Sequence, residues 1–343
     1  MMELTLVGPD RLEWREVPAP TLESATDALI KPLAVARCDL DPVMIKGHAA
    51  FSPPFAIGHE FVGEVAAVGS GIAKLAPGDL VASPFEVSCG ACRTCSAGKR
   101  NACDSVPYHS MFGFGSVGQG WGGALCDLVR IPFADRMLVR LPAGADLVGL
   151  ASAGDNMANG YRAVAPYLAN HPGAPVLVRG GRSASIGLYA VFFAVALGSE
   201  KVVYWDDDRE RLGLAQALSA TVTEGPVTTR ERFAIGVNAS GTAKGLCDTL
   251  GALAPAGVCT TTFPYDAAKV ELPLLEMFAK GLTLVTGGEN SAVHLEAMLT
   301  LIAERQLDPG GVVTRVAVWD DAAEALLEPT PKLVITRQRR DQP

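Results

Sequence analysis

The chain is predicted to be α/β, a doubly wound parallel sheet joined to a β-rich domain. Three observations predict this. Residues 1 to about 150 are dense in glycine and proline, with short β-like runs such as 27–35 and 61–68 set between turn signals. From residue 151 strand-like and helix-like segments alternate, which implies βαβ units and a parallel sheet. At 343 residues the chain is long enough for two separate cores.

In order along the second half, residues 175–178 read as a short buried strand and 186–197 as a helix. A second strand is expected at 201–205 and a second helix at 209–218. The alternation continues with strands at 235–239, 258–262 and 282–286 and a helix near 244–253. A helix at 292–304 and a closing strand at 332–336 complete it. The longest apolar run, 188–198, is too short to span a bilayer and reads as a buried helix. Hydrophobic residues make up 49% and charged residues 19%, a globular composition. The net charge of -8 argues against a nucleic-acid partner or an anionic membrane. Eight cysteines without a signal-like N-terminus suit a reducing, cytoplasmic setting and not a disulfide scaffold.

Four of those cysteines fall within fifteen residues: Cys89, Cys92, Cys95 and Cys103, spaced C-x2-C-x2-C-x7-C. Short gaps of this kind let one loop present four thiolates tetrahedrally, the requirement of a closed structural zinc site. A ferredoxin-type cluster has tighter spacing and a proline after its last cysteine. Lys99 and Arg100 within the loop soften the charge of a tetrathiolate site.

This lobe, about residues 86–105, resembles the structural-zinc lobe of the medium-chain dehydrogenase/reductase family, in particular its zinc-dependent alcohol dehydrogenases. The resemblance extends over nearly the whole chain. It implies a GroES-like catalytic domain at 1–150, a Rossmann NAD-binding domain at 151–288, and a segment at 289–343 that returns to the catalytic domain. Cys38, His59 (in Gly58-His59-Glu60) and Asp155 (in Gly154-Asp155-Asn156) are similar to the family's three catalytic-zinc ligands. Glu60 matches the neighbouring acid that approaches the metal as ligands exchange. Asp41 matches the carboxylate that accepts the histidine's other N–H. Two zinc ions per chain are therefore expected, one catalytic and one structural. At the catalytic site three protein ligands leave a position for an alcohol or carbonyl oxygen, which the metal polarises as a Lewis acid. The chain departs from the family pattern at Leu40 and Val43, which stand where alcohol-oxidising members carry a proton-relay hydroxyl and often a histidine.

For the nucleotide, the turn after the strand at 175–178 reads R-G-G-R-S-A-S-I-G, so only Gly187 of a G-x-G-x-x-G pattern stands in register. Gly180, Gly181 and the small Ala184 still leave room for backbone approach, Ser185 follows at the helix start, and Arg182 offers a phosphate contact. Asp206, nineteen residues after Gly187, is positioned to bind ribose hydroxyls and to repel a 2′-phosphate, favouring NAD. Asp207 and Asp208 reinforce that repulsion, and aspartates here also suit capping of the following helix. By resemblance, Ile186 backs the nicotinamide, Asn159 lies near it, Phe263 and the strand at 284–286 lend backbone groups to the carboxamide, and Lys332 reaches the pyrophosphate. The implied activity is hydride transfer between NAD(H) and a zinc-bound alcohol, aldehyde or ketone, in a homodimer or homotetramer. The missing relay keeps a reductase of activated C=C or iminium bonds in view. A non-catalytic NAD-binding relative is a third reading, against which the retained ligands stand.

Overall fold

A computed structural model describes residues 1–48, 50–225, 232–264 and 269–337. The chain divides into two compact units, Met1–Ala158 with Glu289–Pro343, and Asn159–Gly288. The first break lies eight residues after the expected 150/151 and falls inside a helix, Asn156–Asn170.

The first unit is built on a seven-stranded sheet. Its order runs Arg315–Val318, Leu333–Thr336, Ala28–Ala36, Glu60–Val68, Leu80–Ser83 and Val139–Arg140, with Val129–Ile131 also paired to Ala28–Ala36. A three-stranded antiparallel sheet, Arg11–Glu16, Met2–Gly8 and Phe55–Ala56, lies beside it in the same core. Alternate residues of these strands, among them Leu4, Leu6, Ile30, Phe61, Leu333 and Ile335, are completely or almost completely buried together. Each such side chain contributes about 1.5–3 kcal/mol by leaving water. Register decides where the chemistry sits. Ala36 pairs with Glu60 and Val334 pairs with Ala36, so Cys38, Glu60 and Lys332 come together at one end of three adjacent strands.

The second unit is a six-stranded parallel sheet in the order Thr221–Thr223, Val202–Trp205, Val176–Arg179, Phe233–Asn238, Leu253–Thr261, Thr283–Val285. Numbered along the chain this is 3-2-1-4-5-6, the doubly wound dinucleotide-binding arrangement. The helix Ala184–Ala196 is buried on most of its surface, which is why its residues are apolar nearly all round. Strands and helices fall within a few residues of the sequence expectations. One long helix, Asn156–Asn170, was not anticipated from the sequence: its Asn, Gly and Pro166 weaken helix propensity. Burial of Met157, Ala163, Val164 and Leu168 outweighs those costs. No helix among the described residues is long and apolar enough to cross a membrane.

Candidate functional site

The four lobe cysteines are unpaired by disulfides, and their sulfur atoms all lie within 4.8 Å of one another. Cys89 and Cys95 stand 4.0 Å apart, as do Cys92 and Cys103. The loop is wound so that its backbone feeds the sulfurs. The N–H groups of Cys89, Ala91, Cys92, Cys95, Asp104 and Ser105 donate to Cys103, Cys89 or Cys92 at 3.3–3.4 Å. Cys92 also caps the short helix Arg93–Ser96 with its own sulfur. Burial opposes ionisation of Cys89, yet the hydroxyl of Ser105 and the N–H groups of Ala91 and Cys92 pull its thiol down to about 6. Thiolates held by amide donors around a common centre fit a four-coordinate zinc ion.

The second cluster is buried. Cys38, His59, Glu60 and Asp155 each offer one ligand atom, all within 4.8 Å of one another. Cys38 follows the strand Ala28–Ala36, and Glu60 opens the strand Glu60–Val68. Asp155 is brought in from far along the chain through its neighbour. Gly154 lies so close to Ser83 that a side chain there would come within 1.9 Å of the Ser83 carbonyl, and Phe85 N–H donates to the Gly154 carbonyl at 3.2 Å. Only glycine permits that approach. His59 Nε2 sits 3.2 Å from Asp155 Oδ2, while Nδ1 faces Asp41 Oδ1 at 3.8 Å. Asp41 thus lies on the expected side of the ring, but beyond hydrogen-bond reach. Its other oxygen accepts the Cys38 N–H at 2.8 Å.

Charge in this cluster is not balanced by the protein alone. Burial pushes the Asp155 and Glu60 carboxyls up to about 7, and it raises Cys38 well above its ordinary value. Neighbouring acids add to the effect at all three. Lys332 opposes it: its ammonium, fully buried, donates to Glu60 Oε2 at 2.8 Å and to the Arg37 carbonyl at 2.9 Å. Glu60 Oε1, His59 Nδ1 and Asp41 Oδ1 remain buried without a partner. Four electron-rich groups with orphaned atoms and one lysine fit a divalent cation bound through Cys38, His59 and Asp155, with Glu60 adjacent.

In the second unit, Gly181, Arg182, Ala184, Ser185, Ile186 and Gly187 form the turn and first helical residues after the strand Val176–Arg179. Gly181 has φ +153°, and a side chain there would strike Ser240. The N–H groups of Arg182 and Ser183 donate to the carbonyls of Ser240 and Ala239, so this turn is fastened to the neighbouring strand's exit. Phe263 and Arg182 both pack against Gly241. Ile186 and Asn159 are buried.

Asp206 ends the strand Val202–Trp205 and is only 1% exposed. Arg211 grips it with two bonds of 2.7 Å, and the Tyr204 hydroxyl and the N–H groups of Asp207 and Asp208 also donate to it. Burial alone would raise its pKa, but Arg211 and Tyr204 hold it below the usual carboxylate range. Capping of the helix Arg209–Ala217 falls to Asp208. Lys332 belongs to the first unit, where it serves Glu60.

Two groups of residues escaped the sequence reading. Phe85 and Phe114 pack on the His59 ring at centroid distances of 5.6 and 4.6 Å. The glycine-rich run from Met111 to Gly123 was the available signal for this wall. The second group is a latch behind the lobe. Asn290 accepts the N–H groups of Arg100 and Asn101 and donates to the Gly98 carbonyl, so it does not cap its own helix, Ser291–Glu304. Glu86 takes that role instead, accepting the Ala292 N–H at 3.0 Å. Nothing in the spacing of these residues announces a contact across about 190 positions.

Residues 24–143 match the alcohol dehydrogenase GroES-like domain family. A medium chain reductase/dehydrogenase, ucsI, from Acremonium sp is 34% identical over 225 residues, covering 64% of this chain and 74% of its own. The L-threonine 3-dehydrogenase of Streptomyces coelicolor is 31% identical over 276 residues, 74% of this chain and 76% of its own. Among solved structures, an alcohol dehydrogenase from Thermus sp. ATN1 superimposes with a TM-score of 0.90 at 28% identity, over 98% of this chain and 100% of the other. With this fold, two sets of metal-ligand side chains and these relatives, the chain belongs to the zinc-dependent alcohol dehydrogenases of the medium-chain dehydrogenase/reductase family.

Proposed function

We propose that the chain is an NAD-dependent oxidoreductase that moves a hydride between nicotinamide and the carbinol carbon of an alcohol, with the aldehyde or ketone as the oxidised partner. The observation that carries this reading is the buried set Cys38, His59, Glu60 and Asp155. A zinc ion held there supplies Lewis acidity to the alcohol or carbonyl oxygen. The chain's own residues do the rest. Asp41 faces the ring of His59 at 3.8 Å and fixes the Cys38 backbone. Lys332 offsets the charge of Glu60, and the rings of Phe85 and Phe114 keep water from the histidine. In oxidation the C–H electron pair leaves with its hydrogen as hydride, and the O–H proton leaves separately. Leu40 and Val43 cannot carry that proton, so the partnerless Glu60 Oε1 is assigned as its first acceptor.

Preference for NAD rests on Asp206 at the end of the strand Val202–Trp205. Arg211 partly cancels its charge, so the discrimination is modest. A second zinc ion is assigned to the cysteine lobe. A homo-oligomer is supported by the helix Leu274–Lys280, where Leu274, Leu275 and Phe278 are exposed next to the sheet's terminal strand Thr283–Val285. Eight unpaired cysteines suit a reducing, cytoplasmic compartment. The absent relay hydroxyl favours one further reading, reduction of activated C=C or iminium bonds. Elemental analysis and turnover test the assignment. About two zinc ions per chain are expected, with activity on alcohols and NAD. Asp155→Ala is expected to remove about one zinc and to lower kcat/KM by roughly 10²–10⁴-fold. Unchanged turnover and metal content in that variant would refute the catalytic-zinc assignment. Activity confined to enones would move the reading to double-bond reduction.

A further inference from the structure

Three consecutive aspartates, Asp206, Asp207 and Asp208, follow the strand Val202–Trp205, a run that taken alone repels any added phosphate. In the folded unit each of them already faces an arginine. Arg211 takes Asp206 with two bonds of 2.7 Å, and its Nη1 also lies 3.5 Å from Asp208. Arg179 takes Asp207 at 2.7 Å while its guanidinium rests over the Trp205 ring, 4.8 Å from the centroid. Two cations stand against three anions, so most of the repulsion that the acidic run implies is cancelled where it arises.

Asp206 is also used up as an acceptor. A carboxylate offers about four lone-pair sites. Its Oδ1 accepts the N–H groups of Asp207 and Asp208 and Nη2 of Arg211, while Oδ2 accepts Arg211 Nε and the Tyr204 hydroxyl. The carboxylate is buried, and it lies against the dinucleotide turn, where a side chain at Gly180 would come within 2.2 Å of Oδ2. A ribose diol therefore finds no acceptor at Asp206 unless Arg211 gives up its place. The arginine is differently disposed. Its side chain is 23% exposed, and only Nε and Nη2 serve Asp206. The planar guanidinium matches a phosphate in geometry, and its charge gains more from an anion than from a hydroxyl. A 2′-phosphate brings about −1.5 to −2 charge at neutral pH.

We infer that Arg211, and not Asp206, decides between the two nicotinamide dinucleotides, and that the chain binds NADH and NADPH with comparable affinity. Asp206 is then the anchor that aims the guanidinium. The inference deepens the proposed function, rests on its dinucleotide-binding reading, and narrows the modest preference for NAD to near-parity.

The test is equilibrium binding to the zinc-loaded full chain, followed by calorimetry, with NADH, NADPH, 5′-AMP and adenosine 2′,5′-bisphosphate. Dissociation constants for NADH and NADPH are expected within about tenfold of each other. The bisphosphate is expected to bind more tightly than 5′-AMP and to weaken more steeply with salt, as an ion pair does. Arg211→Ala uncovers Asp206, which keeps the Tyr204 hydroxyl and two N–H groups as donors. NADPH should then weaken by about tenfold or more, while NADH holds or tightens. Should the alanine variant not fold, Arg211→Met keeps the aliphatic stem and gives the same readout. A wild-type preference for NADH well above about tenfold, or an unchanged ratio in the Arg211 variant, overturns the inference and leaves the oxidoreductase reading standing. Binding of neither dinucleotide overturns that reading, and the inference with it.

Discussion

The cysteine lobe and the Cys38 cluster hold the same number of ligand atoms within the same 4.8 Å, yet they are built on opposite principles. In the lobe, local sequence supplies every ligand: fifteen residues hold the four sulfurs and neighbouring amides donate to them, with Asn290 bracing the loop from behind. The Cys38 cluster gathers its groups from residues 38, 59, 60 and 155, seals them from water, and leaves several polar atoms without partners. The first site meets its sulfurs with local amide donors, although burial and the neighbouring sulfurs still push the Cys95 thiol up to about 12. The second stores unmet demand, which is what a site that must exchange ligands needs.

The sharpest break between the two sites should come from Cys92→Ser. Losing one lobe thiolate is expected to release about one zinc ion per chain. It should also lower Tm by roughly 10 °C or more, since a structural zinc contributes several kcal/mol to folding. Scanning calorimetry with elemental analysis checks both. Lys332→Met attacks the other site through its counter-charge. Leaving Glu60 buried and unpaired should cost about 3–5 kcal/mol in denaturant unfolding. The double variant with Glu60→Gln should recover much of that loss, and strict additivity would deny the pairing.

Asp41→Asn is a subtler probe. With the carboxylate that faces His59 and holds the Cys38 N–H made neutral, chelator titration should show roughly 10–100-fold weaker metal binding at the Cys38 cluster, with metal at the lobe as an unchanged internal reference. Glu86→Gln probes the latch beside the cluster through its pH dependence. Burial, with Asp155 and Glu289 adding to it, raises the Glu86 carboxyl from 4.5 to about 8. Between those values the folded protein holds a proton that the unfolded chain has released, so this group makes stability fall as pH rises through that window. Glutamine keeps an acceptor for the Ala292 N–H and removes the titration. The Tm of the variant relative to the parent should therefore climb between pH 5 and 8. A difference independent of pH would mean that Glu86 titrates as it would in water.

How much of this was legible follows from the same contrast. Cys89–Cys103 announces itself because its geometry is local, and strand-helix alternation after residue 151 announces the parallel sheet because periodicity is local too. Cys38, His59 and Asp155 carried no such signal and entered only through resemblance, since their meeting depends on the pairing of Ala36 with Glu60 and on the approach of Gly154 to Ser83. Asp206 shows the limit from the other side. Its position was readable, but its grip by Arg211 was not, because a side-chain ion pair leaves no period in the sequence. The aromatic pair on His59 was missed for a similar reason: Phe85 and Phe114 are far apart in the chain and unremarkable singly.

One contact sets the order of events during synthesis. Lys332 reaches Glu60 across 272 positions, carried by the strand Leu333–Thr336 that pairs with Ala34–Ala36. A ribosome that has released the first 158 residues has delivered every group of the Cys38 cluster but not the cation that neutralises it. The whole nucleotide-binding unit must be translated before that strand emerges. The four cysteines of the lobe are thus all in hand by residue 103, whereas the buried cluster gains its counter-charge only after the second unit has been made.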